Sequence, residues 1–284
     1  MISIKPFKKS AVLLLTLLLV QITGISCAGI SGARINEARD FIEQGKYQDA
    51  INAANAALEI NLNDPEAYDV RGDALMGIED YQGAVESYTR VIELQPESVD
   101  AYIDRASALA KNNELDAAIV DLDTALTYKP QSADIYNARG RAKLNRGDIS
   151  AALEDFTAAL EIDPGNVHAH VELAYAYQMD GKYEQGIEEI TTALTIDPEF
   201  PEAYHRRALI YKDLLDYEPA LEDLNRAIDL SPDTAIYYQT RGLVYIELED
   251  YESANADLNR ALELDPGLGL ARAKAQWTSG FVGN

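Results

Sequence analysis

A proline recurs at Pro96, Pro130, Pro164, Pro198, Pro232 and Pro266, each 34 residues after the one before. Self-similarity at this fixed spacing constrains the fold more than any other feature. A 34-residue unit cannot bury its own apolar face, so it must stack against copies of itself and share one continuous core. The pattern runs seven times from Ser31 to Leu268, as 31–64, 65–98, 99–132, 133–166, 167–200, 201–234 and 235–268. Residues 1–27 form a leader, 28–33 a short small-residue tether, and 269–284 a tail that caps the array.

Each unit carries two helical periodicities. In the third, Tyr102, Arg105, Ala106 and Leu109 recur at helical spacing, and Leu115, Ala118, Leu122, Ala125, Leu126 and Tyr128 make a second apolar stripe. Residues 112–114 lie between them as a turn, where other copies place Gly45, Gly147 and Gly181 for permissive dihedrals. Proline and its restricted predecessor then end the second helix.

Small residues mark two levels of close helix approach: Ala38, Gly72, Ala106, Gly140, Ala174, Ala208 and Gly242 in first helices, and Ala50, Ala84, Ala118, Ala152, Gly186, Ala220 and Ala254 in second ones. Bulky residues surround them, with Tyr47, Tyr81, Leu115, Ile149, Tyr183, Tyr217 and Tyr251 in one register. Acids at second-helix starts, Asp80, Glu114, Asp148, Asp216 and Asp250, are placed to cap backbone donors. Arg71, Arg105, Arg139, Arg207 and Arg241 recur in first helices, and Asp121, Asp155, Glu189, Asp223 and Asp257 in second ones. Nearly one acid per arginine favours ion pairs within the array over a basic ligand stripe.

This combination of period, small residues, turn glycine, aromatic and terminal proline resembles the tetratricopeptide repeat family, whose small-small-Ala pattern is carried by Gly140, Ala152 and Ala159. The first copy fits least well, with Glu37 at a position the family keeps apolar and Leu62 in the proline register. The resemblance implies an all-α, right-handed superhelical solenoid of antiparallel helix pairs, with first helices lining a concave face that grips peptides or partner helices. Carried onto this sequence, the groove positions are Asp69, Asp73, Ile103, Ser107, Asn137 and Arg141, then Val171, Tyr175, His205, Leu209, Gln239, Leu243 and Ile246. The later, more apolar set is the expected partner-binding groove, able to bury about 600–800 Å² on this side of a standard interface. The competing reading is that some of these side chains only pack between neighbouring repeats. The family's lysine and asparagine clamp for C-terminal carboxylates is incomplete here: Asn137 and Arg141 are present without the rest.

The formal net charge of -24 disfavours nucleic acid and anionic lipid as ligands, because no basic stripe follows Lys9. Glycine-rich phosphate loops, HExxH and paired CxxC motifs are absent, so no enzyme is expected and no cofactor. His168, His170 and His205 lack metal-ligand spacing, and no metal site is expected from them.

The leader places Lys5, Lys8 and Lys9 before an apolar run from Ala11 to Val20, which reads as an export signal. A retained anchor is the alternative, if the run is extended to Ile25. Cys27 behind it looks like the lipidated first residue of a bacterial lipoprotein, although Gly24 stands where that pattern prefers leucine. The competing reading is ordinary secretory cleavage at the small residues Ser26 and Ala28. The sequence thus points to a non-enzymatic envelope adaptor in the bacterial periplasm or outer envelope. Its partner is an unknown protein or peptide, membrane contact comes only through a lipid anchor or the leader, and self-association is the structural alternative.

Overall fold

The structure, a computed structural model, describes residues 27–281, and the leader 1–26 lies outside them. The described residues form fifteen helices. They are α1 (Cys27–Glu43), α2 (Tyr47–Ile60), α3 (Pro65–Gly77), α4 (Tyr81–Leu94), α5 (Val99–Lys111), α6 (Leu115–Tyr128), α7 (Ala133–Arg146), α8 (Ile149–Ile162), α9 (Val167–Met179), α10 (Tyr183–Ile196), α11 (Pro201–Asp213), α12 (Tyr217–Leu230), α13 (Ala235–Glu247), α14 (Tyr251–Leu264) and α15 (Gly269–Thr278). From α1 to α14, odd-numbered helices are the first and even-numbered the second of each pair, so the described residues form an all-α solenoid of seven paired-helix units followed by α15. The helices fall into two compact units, one ending at Pro130 and the other beginning at Gln131.

In the first unit each helix packs on its chain neighbours, and α1 also touches α3. Its core joins Ile35, Ala38, Ala50, Ala54, Leu58, Val70 and Ala74. The second unit repeats this arrangement from α7 to α15, with successive first helices in contact along one side. Close approach is what the small registers allow. A Cβ on Gly72 would lie 2.5 Å from the Tyr88 ring, and one on Gly140 would lie 2.8 Å from the Phe156 ring.

The helix turns repeat one backbone solution. Gly45, Glu79, Asn113, Gly147, Gly181, Leu215 and Glu249, spaced by 34 residues, all have positive φ. Four of them are not glycine, so the turn is imposed by the helix pairing even where the residue resists it.

The arginine register forms ion pairs inside the third, fourth, sixth and seventh repeats. Arg105 holds Asp121 by two bonds of 2.8 and 2.7 Å, and Arg139–Asp155, Arg207–Asp223 and Arg241–Asp257 reproduce this bidentate geometry. In the second repeat Arg71 instead donates to Ser87. Each tie staples a first helix to its second with charge-assisted bonds, and the carboxylates are buried. First-helix tyrosines add a brace to the preceding loop: Tyr68, Tyr102, Tyr204 and Tyr238 donate to the carbonyls of Leu62, Pro96, Pro198 and Pro232.

Three expectations change. Residues 28–33 are helical rather than a tether, because α1 extends back to Cys27 and buries Ser31, whose hydroxyl donates to Asp64 at 3.0 Å. Of the acids placed to cap second helices, Asp80 and Asp250 accept backbone N–H bonds. Glu114, Asp148 and Asp216 make no cap bond; Asp148 is held by Arg146 and Glu114 by Asn112. In the tail, α15 packs on α14, but the buried face is Ala271, Ala275 and Thr278. By sequence spacing Leu270, Ala273 and Trp277 share a helical face that would turn inward, but Leu270 and Trp277 are about half exposed, and Trp277 lies against Tyr251 and Phe281. The small residues win the inner face because Asn255 reaches in to bond the Ala275 carbonyl and Thr278 hydroxyl, each at 2.9 Å.

Candidate partner-binding face

First helices of the second unit bring the later groove positions to neighbouring turns, but the seven residues divide by environment. Val171 is buried at 3% exposure among Ala174, Ile190, Ala193 and Ala203, so it is core between repeats. The register assigned it to the groove; the close approach of α9, α10 and α11 encloses it. Gln239 is also buried. His205 is inward too: its Nε2 lies 2.9 Å from the Thr240 hydroxyl and its ring 4.9 Å from that of Tyr237. Burial, then the positive charge of Arg206, pushes its pKa down to about 4, so the ring is neutral near pH 7. Ile246 packs toward Leu258 and Ala261. Tyr175, Leu209 and Leu243 remain partly open to solvent.

Sequence reasoning missed the polar set around them. The Arg206 guanidinium stacks over Tyr175 at 4.3 Å. Glu172 takes Arg141 at 3.3 Å, and burial raises its pKa while Arg141 and Arg206 pull it back. Three atoms of first helices, Asn137 Oδ1 on α7, Arg206 Nε on α11 and Gln239 Oε1 on α13, are buried with no hydrogen-bond partner in the protein. Arg206 and Glu172 lie one position off the scanned register, and their contacts across helices, with Tyr175 and with Arg141, have no sequence spacing that would reveal them.

Of the early groove positions, Asp69, Asp73, Ile103 and Ser107 belong to the first unit, where the two aspartates join an acidic cluster, while Asn137 and Arg141 belong to the second. Asp69 is pushed up to about 6 by burial first and then by Asp73, against the pull of Arg39. Asp104 is pushed up to about 7 by burial, then by Asp69, Asp73 and Asp100. The Tyr88 hydroxyl donates to Asp73 at 2.8 Å, and burial raises its pKa. Ile103 is partly covered and Ser107 exposed beside this cluster on α5.

The histidines have separate tasks. His170 bonds Glu189 and the Pro164 carbonyl, His205 bonds Thr240, and His168 meets the edge of Phe200. Among the described residues no group of three His, Cys, Asp or Glu side chains is placed to hold a metal ion. No helix among them is long and apolar enough to cross a membrane.

Sequence patterns of the tetratricopeptide repeat match residues 35–75, 70–134, 143–210, 201–234 and 235–268. No curated protein matches the chain. Solved structures share the fold at low identity. A tetratricopeptide repeat protein from Parabacteroides merdae superposes with a TM-score of 0.74 at 22% identity, covering 88% of this chain and 98% of its own. A thermophilic repeat protein of Thermus thermophilus gives 0.57 at 21%, over 64% of this chain and 99% of its own. MamA from Desulfovibrio magneticus gives 0.55 at 21%, over 59% of this chain and 95% of its own. With repeat patterns over most of its length and the same helix pairing in the described residues, this chain belongs to the tetratricopeptide repeat family.

Proposed function

We propose that the first-helix face of the second unit binds a segment of a partner protein, with Tyr175, Leu209 and Leu243 as apolar contacts and Arg206 as a polar one. The observation that carries this reading is the set of unpartnered polar atoms on α7, α11 and α13. Leaving a buried donor or acceptor unpaired costs about 1–3 kcal/mol, and a partner backbone supplies both donors and acceptors after small side-chain rotations. A basic ligand stripe has less support, since the arginines of Arg105, Arg207 and Arg241 are each spent on a buried aspartate. The test is a photo-crosslinking residue at Tyr175 in the full-length chain in cells. A discrete crosslinked partner is expected there and not with the same probe at the exposed Tyr128; no product at Tyr175, or equal products at both, contradicts the reading.

Self-association is a second reading, supported by the half-exposed Trp277 and Phe281 beside Tyr251 at the last helix. Light scattering across a concentration series separates it: a stable closed oligomer without another protein supports it, and a concentration-independent monomer removes it. We further propose that the leader exports the chain to a bacterial envelope and that Cys27 is lipidated there. Lipid labelling of the wild type and of Cys27→Ser tests this, and label absent from the wild type or retained in the variant contradicts it.

A further inference from the structure

The turn between α11 and α12 departs from its counterparts. Of the seven positive-φ turn residues, three are glycine and three are polar; Leu215, at φ 62°, is the large apolar one. Glycine adopts this conformation without penalty and leucine does not. Leu215 is also 70% exposed, with Leu214 beside it at 40%. Neither backbone preference nor burial favours leucine here.

Leu215 sits on the rim of an open depression of about 470 Å³ within the second unit. Tyr183 and Tyr217, from the starts of α10 and α12, and Leu243 of α13 form its apolar walls. Its charged rim is acidic. Asp213 and Glu247 are exposed, and the nearby Lys212 ammonium is engaged by Asp213 at 3.0 Å. The Gln178 amide donates to Asp213 at 2.6 Å and fixes that carboxylate in place. The next turn adds Glu249 and Asp250, both exposed. Apolar walls with a fixed acidic rim select an apolar side chain that carries positive charge beside it.

We propose that this depression at the turn edge of α11–α13 is a docking site for a basic, apolar-anchored segment of a partner protein. One aromatic or branched aliphatic side chain seats between Tyr183, Tyr217 and Leu243 under Leu215, with a neighbouring lysine or arginine facing Glu247 and Asp213. The inference rests on the protein-binding role but not on the first-helix face proposed above, with which it shares Leu243. Leu215 is then a residue kept for contact at the expense of its own backbone conformation.

The test pans a random dodecapeptide phage library on the full chain and measures the enriched sequence, as a synthetic peptide, by fluorescence anisotropy. The expected consensus has an aromatic or aliphatic residue next to Lys or Arg. Leu215→Gly should weaken binding at least about tenfold while leaving the melting temperature equal or higher, because glycine suits the left-handed turn. That pairing of unchanged or greater stability with lost binding excludes misfolding as the cause. Glu247→Lys should also weaken binding and reduce its sensitivity to salt. An acidic consensus, no enrichment, or full-strength binding by Leu215→Gly overturns the proposal. If Tyr175→Ser abolishes binding and Leu215→Gly does not, the partner lies on the first-helix face and this depression is not its site. If Leu215→Gly instead dissolves a dimer of the free protein, a second copy is the occupant and the proposed partner class is wrong.

Discussion

His170 Nδ1 lies 2.7 Å from Glu189 Oε2, and its Nε2 lies 3.1 Å from the carbonyl oxygen of Pro164. Both neighbours are acceptors, so the ring donates to both only when both nitrogens carry protons. In the third, sixth and seventh repeats two residues do this work, a tyrosine bonding the loop carbonyl and an arginine holding the second-helix acid. The fifth repeat has Leu173 in the arginine register, and one histidine takes both roles. His170→Ala should therefore cost about 2 kcal/mol of stability in denaturant unfolding. His168→Ala, on an exposed residue of the same helix, should cost less than about 1 kcal/mol. Equal effects would contradict the bracing role.

The aspartate cluster of the first unit predicts a pH dependence. Asp69 and Asp104 hold folded-state pKa values of about 6 and about 7, above the ordinary 3.8. The folded chain thus binds these protons more tightly than the unfolded chain, so this contribution favours folding at low pH and is lost as pH rises through 6 and 7. The melting temperature should rise as pH falls from 8 to 5.5, and Asp104→Asn should flatten that rise. A wild type that grows less stable on acidification over this window, with Asp104→Asn following it, would contradict the placement of the cluster.

Packing at the small registers allows little growth. Ala152 is fully buried against Phe156, Leu144 and Leu173, and Ala152→Phe should destabilise by about 1–3 kcal/mol. Gly140→Ala is the smaller probe, since its Cβ meets the Phe156 ring at 2.8 Å and that ring must shift. Thermal melts of both should fall below wild type, with the phenylalanine variant lower; unchanged melts would place these helices further apart than the structure does.

The last helix should act as a cap. Deleting residues 269–284 uncovers Leu258 and Ala261 and leaves the Asn255 amide without the Ala275 carbonyl. Lower melting temperature and concentration-dependent aggregation are expected. A deletion protein equally stable and equally monomeric would leave α15 no structural role.

Much of the fold was legible because a repeat states its rule several times. Six prolines, two small registers and the arginine–acid pairs each recur, so one exception does not obscure them. What the sequence hid lies where the rule is broken once. The start of α1 carries no sequence signal because Ala28, Gly29 and Gly32 lack apolar periodicity, and the Ser31 bond to Asp64 joins residues 33 apart. Val171 was assigned outward by register, yet how deeply a position sinks depends on the spacing of three helices. Arg206 gains its meaning from Tyr175 and Glu172 from Arg141, each across helices, and Leu215 from a turn dihedral that no side chain announces. Tyr175, Leu209 and Leu243 were readable because matching positions in three successive first helices stay partly open.

The central claim is that those three side chains form the partner contact. The direct measurement is equilibrium binding, at two salt concentrations, of the segment crosslinked at Tyr175 to the wild type and two triple variants. Changing Tyr175, Leu209 and Leu243 to Ser should weaken binding by at least about 2 kcal/mol at both salts with helicity nearly unchanged. Changing Asp73, Glu114 and Asp148 to Asn should leave most of the affinity in place. If the serine variant binds as wild type while the asparagine variant loses a salt-sensitive affinity, the acidic surface holds the partner and the apolar contact proposed here is wrong.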